Sequence, residues 1–164
     1  MNNPTDTVIT VFKTPAHTYA FRVRATDTKG NTSAFVTGPT LTLTARQETS
    51  GSISYVGTWT LGSPTGAFGG SVKYAKTSTA RATFSFTGRS VAWVSQMSSN
   101  RGIADVYVDG VFVQSVDLFS ATTKPRMTVF TRSWATSGAH TVQIRIKATV
   151  LRPRGDIDAF AFLK

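Results

Sequence analysis

The chain of 164 residues contains no cysteine, so neither a disulfide framework nor a thiolate metal site is available to it. Carboxylates are also scarce: eight Asp and Glu residues stand against 18 Lys and Arg residues. No apolar run approaches the roughly 20 residues that a membrane span needs. The opening Met1–Pro4 lacks the basic and apolar stretches of a signal peptide. These absences disfavour a disulfide-stapled domain, a membrane span and carboxylate-based catalysis.

What the chain does contain is typical of a β-protein. Hydrophobic residues make up 40% and charged residues 16% of the sequence, and Ser and Thr together supply about a quarter of it. Thr, Val, Phe and Tyr favour strands, and the few Glu and Leu residues leave little from which to build helices. The net charge of +10 favours anionic partners. Because the cations are scattered singly, without a Lys/Arg run, we expect no specific nucleic-acid binding.

The first 45 residues predict three strands, at Thr7–Phe12, Thr18–Thr26 and Ala34–Thr44. The middle strand alternates apolar and polar residues, as a strand with one buried face does. Residues 19–27 and 30–33 resemble the last two strands of a fibronectin type III domain. The resemblance covers only this segment, and three strands cannot close a two-sheet core. We therefore expect residues 1–45 to be a partial fibronectin type III-like segment, which is either a truncated domain left over from a longer multidomain chain or a segment that packs on something else, such as another subunit's sheet.

A polar stretch at residues 45–52 is interpreted as a strandless linker, and a second pattern follows it. Strands are expected near 53–59, 72–75, 80–86, 90–96, 103–108, 111–118, 127–134, 140–149 and 156–163. Asp109-Gly110 lies between two of these strands and is a strong two-residue hairpin signal. Short strands at this spacing predict an all-β sandwich over residues 46–164.

Several separated blocks of this second part carry a family resemblance. They are Ile53–Trp59, Gly66–Gly70, Ala104–Gly110, Gly138–Val142 and Asp156–Phe160. Together they resemble the galactose-binding-like jelly rolls found in bacterial secreted and surface proteins. The resemblance implies a jelly-roll β-sandwich and an extracellular or cell-surface location. It does not by itself license an activity.

The residues offer little for catalysis. Glu48 is the only glutamate and lies in the expected linker, and His17 and His140 fall in different parts of the chain. Asp156 and Asp158 face the same side of a strand, where a contact with arginine or a backbone cap is the commoner use of such a pair. We therefore expect a non-enzymatic module.

Two further features have competing interpretations. Trp93 alternates with apolar neighbours and is expected in the core, whereas Trp59 and Trp134 end strands and could stack a sugar or cover the core. Arg154-Gly155-Asp156 spells an integrin-recognition tripeptide but runs into the final strand, so it is interpreted as a coincidence.

Calcium is the one cofactor considered, because the jelly rolls that the chain resembles often hold a structural ion where the first and last strands meet. Glu48 and Asp158 are the candidate ligands, and backbone carbonyls would complete the six to eight oxygens that the ion needs. With so few carboxylates the alternative is that no cofactor is bound.

Strand direction predicts a basic end of the sandwich. Successive antiparallel strands send alternate connections to opposite ends, so the connections at 76–79, 97–102, 119–126 and 150–155 should emerge together. They contain several cations and no acidic residue, and loops at one end of a sandwich are a usual ligand site. The candidate ligand-binding residues are Asn100, Arg101, Phe119, Lys124, Arg126, Arg152 and Arg154. The alternative is that these are ordinary solvated loop charges.

Two functions follow from these observations. The first is a non-catalytic module that binds an anionic or neutral polysaccharide or cell-wall glycan through the basic end. The second is a structural or assembly module, such as a spacer, filament subunit or virion decoration, whose N-terminal strands complete a neighbouring sheet.

Overall fold

The computed structural model describes residues 15–164, so the strand expected at Thr7–Phe12 lies outside the described part. Strands dominate it, as the composition predicts, and its only helical element is a 3₁₀ turn at Phe68–Gly70. In chain order the strands are β1 (His17–Val23), β2 (Val36–Gln47), β3 (Ile53–Val56), β4 (Thr60–Gly62), β5 (Val72–Ala75), β6 (Arg81–Met97), β7 (Ile103–Val108), β8 (Val111–Asp117), β9 (Lys124–Ile146), β10 (Gly155–Ile157) and β11 (Ala159–Leu163).

The strands form one large and one small antiparallel sheet. The large sheet has the order β1-β2-β11-β6-β9-β7-β8, with β3 also paired to β6. The small sheet has the order β10-β5-β4. The hairpin predicted at Asp109-Gly110 is present: both residues have positive φ, 50° and 82°, and they join β7 to β8.

Two pairs of expected strands are continuous in the structure. Residues 80–86 and 90–96 belong to β6, and residues 127–134 and 140–149 belong mostly to β9. The turns expected between them are shifts in register, where the partner of β6 changes from Gly138, opposite Gly88, to Ser133, opposite Ser90. A side chain at Gly88 would collide with the backbone oxygen of Leu163, so the close approach of chains at this corner requires glycine.

The hydrophobic core lies between the two halves of the large sheet. Phe84, on the first half of β6, stacks on Phe160 of β11 with ring centroids 4.8 Å apart. Phe86 contacts Phe162 at 5.5 Å. Trp93 is fully buried, as its apolar neighbours predict. Facing aromatic layers of this kind are the packing expected of a β-sandwich.

The segment expected to be a linker is partly strand. β2 extends to Gln47 and pairs with β11 from Leu43 to Gln47, so it joins the sheet that contains the core strands. The strandless stretch is therefore shorter than residues 45–52. The fibronectin type III character of the N-terminal strands and the domain division at residue 45 stay predictions.

Residues 15–164 contain no helix with the length and hydrophobicity needed to cross a membrane.

Candidate functional site

Of the four connections that strand parity assigns to one end of the sandwich, three are joined by backbone contacts. Arg101 forms a backbone bridge with Arg154, and Ser98 forms one with Phe119. The amide of Leu118 also donates to the oxygen of Gly102 at 3.0 Å. The connections at 97–102, 119–126 and 150–155 are thereby joined, and we call them the loop end.

Arg101 and Arg154 share one buried carboxylate. The Nε atom of each donates to Asp156 at 2.6 Å, Arg101 to Oδ2 and Arg154 to Oδ1. Asp156 is fully buried, and Arg101 is only 4% exposed. The guanidinium of Arg154 also stacks on the ring of Tyr74 at 3.7 Å. These two arginines therefore fix the loops internally, because both guanidinium groups bind one buried carboxylate, which balances one of their two positive charges.

Arg152 forms a more open pair. It donates through Nη1 and Nη2 to the two oxygens of Asp117 at 2.8 and 3.2 Å, and its guanidinium lies 4.8 Å from the ring centroid of Phe119. The hydrogen bonds from Arg152 hold the pKa of Asp117 below its ordinary value. Phe119 is 46% exposed, so an aromatic ring backed by a guanidinium reaches solvent at the loop end.

Three of the predicted ligand residues are exposed. Asn100, Lys124 and Arg126 all reach solvent, and Asn100 accepts a hydrogen bond from Arg101. Lys124 lies opposite Met97 at the start of β9. Arg126 has a φ of 52°, in the left-handed region that non-glycine residues rarely occupy.

The loop end is less positive than the loop sequences suggest. Asp156, on β10, and Asp117, on β8, both reach into it and neutralise arginines. The arginine contact expected of Asp156 is confirmed, whereas Asp117 was not expected here because only the charges of the loops were counted. The Arg154-Asp156 spacing did carry a signal, since residues two apart on a strand face the same side.

Glu48 and Asp158 form a second site, which we call the carboxylate site. Both side chains are fully buried, and the Oε2 atom of Glu48 and the Oδ2 atom of Asp158 have no hydrogen-bond partner. Their other oxygens are engaged, Glu48 Oε1 by the hydroxyl of Ser71 and Asp158 Oδ1 by the amide of Phe68 at 2.9 Å. Burial raises the pKa of Asp158 to about 6. Two buried carboxylate oxygens without donors are an arrangement that a hard cation would satisfy.

The 3₁₀ turn covers the carboxylate site. Gly69 and Gly70 have φ values of 69° and 89°, and a side chain at Gly69 would collide with the amide of Gln47. The glycines therefore allow the loop to close over the end of β2. In the described chain, however, no group of three or more His, Asp or Glu side chains is gathered as a metal site. A cation here would need backbone oxygens as well.

The other singled-out residues are used structurally. Trp134 stacks on His140 at 3.8 Å, and Trp59 contacts Tyr55 edge-on at 5.0 Å, so both partly buried indoles cover the core. His140 Nδ1 lies 2.8 Å from Asp109 Oδ2 at the opposite end of the sandwich. Gly155 and Asp156 are buried, so the integrin-like tripeptide is not presented to a receptor.

No family model matches the chain. Two curated proteins from Flavonifractor plautii are similar to it. One, described as A type blood alpha-D-galactosamine galactosaminidase, is 36% identical over 75 residues, which are 46% of this chain and 7% of that protein. The other, described as A type blood N-acetyl-alpha-D-galactosamine deacetylase, is 28% identical over 112 residues, which are 68% and 14%. The chain therefore spans only a small part of either relative.

Solved structures share the fold at low sequence identity. A family two carbohydrate esterase from Cellvibrio japonicus gives a TM-score of 0.57 at 14% identity, over 75% of this chain and 34% of that one. A family 35 carbohydrate binding module from Clostridium thermocellum gives 0.50 at 12%, over 71% and 95%. The CBM36-1 domain of a multidomain xylanase from the hindgut metagenome of Trinervitermes trinervoides gives 0.50 at 14%, over 74% and 96%. These likenesses establish the all-β jelly-roll fold.

Proposed function

We propose that this chain is a non-catalytic glycan-binding module of a larger, extracellular carbohydrate-active protein. Its fold is that of small carbohydrate-binding modules, and its curated relatives are enzymes named for aminosugar substrates, of which the matched part is a minor share. A module of this kind holds the parent protein near its substrate and thereby raises the effective concentration of that substrate.

The observation that carries the proposal is the exposed ring of Phe119 beside polar side chains at the loop end. Phe119 offers an apolar face for a sugar ring, and the Arg152 guanidinium lies over it at 4.8 Å. Asn100, Lys124 and Arg126 would supply hydrogen bonds to hydroxyl or acidic groups. Arg101 and Arg154 have another task, which is to hold the loops through Asp156. Ligand specificity therefore resides in the exposed members of the predicted set.

The test is binding to immobilised glycans by the full chain, with neutral and acidic polysaccharides and terminal N-acetylgalactosamine in the panel. Phe119→Ala should weaken retention about tenfold, because an aromatic stacking contact contributes about 1 kcal/mol or more. Phe35→Ala is a matched control: Phe35 is also 46% exposed and carries an arginine over its ring, but it lies in the N-terminal segment. Equal retention of both variants and the wild type would contradict the proposal.

The assembly hypothesis is the second candidate function. β2 pairs with β1 over Val36–Leu43 and with β11 over Leu43–Gln47, so each part of β2 has one paired neighbour, and β1 lies at the edge of the large sheet. An edge strand is where a strand of a neighbouring chain can add to a sheet.

We also propose that the carboxylate site holds a structural calcium ion through Glu48 and Asp158. The unpartnered Oε2 and Oδ2 atoms support this assignment, because a buried anionic oxygen without a donor is costly. The ion would lock the end of β2 to the region between β10 and β11, which these carboxylates already approach. Its role would be to stabilise the fold.

The measurement is the thermal midpoint of the full chain in millimolar calcium and in chelator. Calcium at a hundredfold excess over its dissociation constant should stabilise the wild type by about 2.7 kcal/mol. Glu48→Gln should abolish that calcium-dependent increment, whereas Asp105→Asn, a carboxylate change outside the site, should retain it. Identical midpoints of the wild type with calcium and with chelator would rule the ion out.

A further inference from the structure

A row of polar and aromatic side chains crosses the outer face of the sheet half formed by β3, β6, β9, β7 and β8. The strand register places Ser54, Thr83, Gln143, Tyr107 and Phe112 side by side. On β6, β9 and β7 the residues that flank this row along the strand are buried in the core: Ala82 and Phe84, Val142 and Ile144, Val106 and Val108. With neighbouring strands 4.7–4.9 Å apart, the row is roughly 19 Å long. We call this surface the sheet-face platform.

Arg145, in the adjacent row, is held flat on the platform. Its guanidinium lies 3.6 Å from the ring centroid of Tyr107, and its Nε donates to Oε1 of Gln143 at 2.5 Å. Gln143 in turn donates through Nε2 to the hydroxyl of Thr83 at 2.9 Å. These contacts orient the planar group but use only one of its five N–H donors. The remaining donors are available to a ligand.

A second arginine stands directly across from the first. Arg81 is exposed on β6 and is the cross-strand neighbour of Arg145. Asp105 is the neighbour of Arg145 on the other side, but its oxygens are engaged by the Ser115 hydroxyl at 2.5 Å and by Lys147 at 3.6 Å. None of the ion pairs in the described part of the chain includes either arginine.

When no anion is bound, the opposed Arg81 and Arg145 destabilise the folded chain. Like charges at directly opposed cross-strand positions destabilise a sheet, and here no carboxylate is placed between them. An anion that bridges the two guanidinium groups would remove the repulsion and form charge-assisted hydrogen bonds with both.

We propose that the sheet-face platform binds an acidic polysaccharide, with a carboxylate or sulfate group between Arg81 and Arg145. The inference rests on the proposed glycan-binding function but concerns a surface distinct from the loop end. The Thr83 and Ser54 hydroxyls provide hydrogen bonds for sugar hydroxyl groups, and Phe112, 51% exposed, provides an apolar ring face. The length of the row suits an oligosaccharide segment rather than a single sugar.

The experiment is affinity electrophoresis of the full chain through gels that contain polygalacturonate or dextran sulfate, with methyl-esterified polygalacturonate and dextran as the uncharged counterparts. At least one acidic polymer should retard the wild type more than its counterpart does. Arg81→Gln and Arg145→Gln should each weaken that retardation about tenfold. Arg145→Lys should weaken it as well, because an ammonium lacks the planar fork. Arg132→Gln, which removes an exposed arginine on the same strand β9, is the matched control and should behave as the wild type.

Two further measurements separate the possible outcomes. Without ligand, Arg81→Gln should melt no lower than the wild type, since the substitution relieves a repulsion; a clear loss of stability would show that the arginine has a structural role instead. Phe119→Ala is run on the same gels. Retardation by the acidic polymer that is lost in Arg81→Gln and Arg145→Gln but kept in Phe119→Ala assigns the binding to the platform, whereas loss in Phe119→Ala alone assigns it to the loop end and overturns the proposal. The proposal is overturned if neither acidic polymer retards the wild type, if Arg81→Gln and Arg145→Gln bind as tightly as Arg132→Gln, or if a single-stranded DNA of equal charge competes as well as the polysaccharide.

Discussion

The arginines of the loop end and those of the sheet-face platform have opposite surroundings. At the loop end, Arg101 and Arg154 share the buried Asp156, and Arg152 is paired with Asp117. On the platform, Arg81 and Arg145 face each other and the nearest carboxylate is engaged elsewhere. A cation whose charge is matched internally mainly holds the fold together, whereas a cation without a matching carboxylate is free to bind an anionic ligand.

The difference depends on which strands meet at each surface. At the loop end, the charged residues of the loops themselves are all positive, and the neighbouring strands β8 and β10 each contribute one aspartate. On the platform, β7 pairs with β9 and places Asp105 opposite Arg145, but the oxygens of Asp105 contact Lys147 and Ser115. The number of positive residues in a segment therefore predicts neither the local electrostatic field nor whether those residues bind a ligand.

The largest expected effect that tests this comparison is at Asp156. Asp156→Asn leaves Arg101, which is 4% exposed, as an unpaired buried cation. Breaking a buried ion pair in this way costs about 3–5 kcal/mol, so the free energy of unfolding in urea should fall by that amount. Asp105→Asn, whose partner Lys147 has a half-exposed side chain, should cost about 1 kcal/mol or less.

Adding Arg101→Met to Asp156→Asn should recover part of the lost stability, because it removes the unpaired charge and keeps an apolar side chain of similar length. Small and equal losses at Asp156 and Asp105 would show that the two sets of cations do not differ as the comparison requires.

Much of the fold was predictable from local patterns. The Asp109-Gly110 hairpin, the buried Trp93 and most strand positions follow from turn chemistry and alternation. Strand direction also predicted that the connections at 97–102, 119–126 and 150–155 meet, although two of the turns counted for that prediction lie within strands. Residues 87–89 and 135–139 look like turns in the sequence because they are rich in small and polar residues, but the chain passes through them as bent strand.

The contacts that define the candidate sites were less predictable. The sequence gives Glu48 as a residue of a polar linker, whereas the structure buries it because β2 continues to Gln47 and joins β11. The stacking of Arg145 on Tyr107 depends on the register of β7 against β9. Pairings between residues distant in sequence, rather than local propensity, decide both cases.

The smallest expected effect concerns the open pair at the loop end and depends on pH. Hydrogen bonds from Arg152 lower the pKa of Asp117 in the folded state, so the pair contributes stability above the ordinary pKa of an aspartate and loses it as pH falls through the lowered value. Both groups are solvent-accessible, so screening by water keeps the contribution small. Asp117→Asn preserves an oxygen for the Phe119 amide, which donates to Oδ1 at 2.9 Å, while it removes the charge. Urea unfolding of the wild type and of Asp117→Asn at pH 6 and at pH 3 should therefore show a small stability difference at the higher pH that shrinks at the lower one. A difference that stays constant between the two pH values would mean that Arg152 and Asp117 are not coupled in solution.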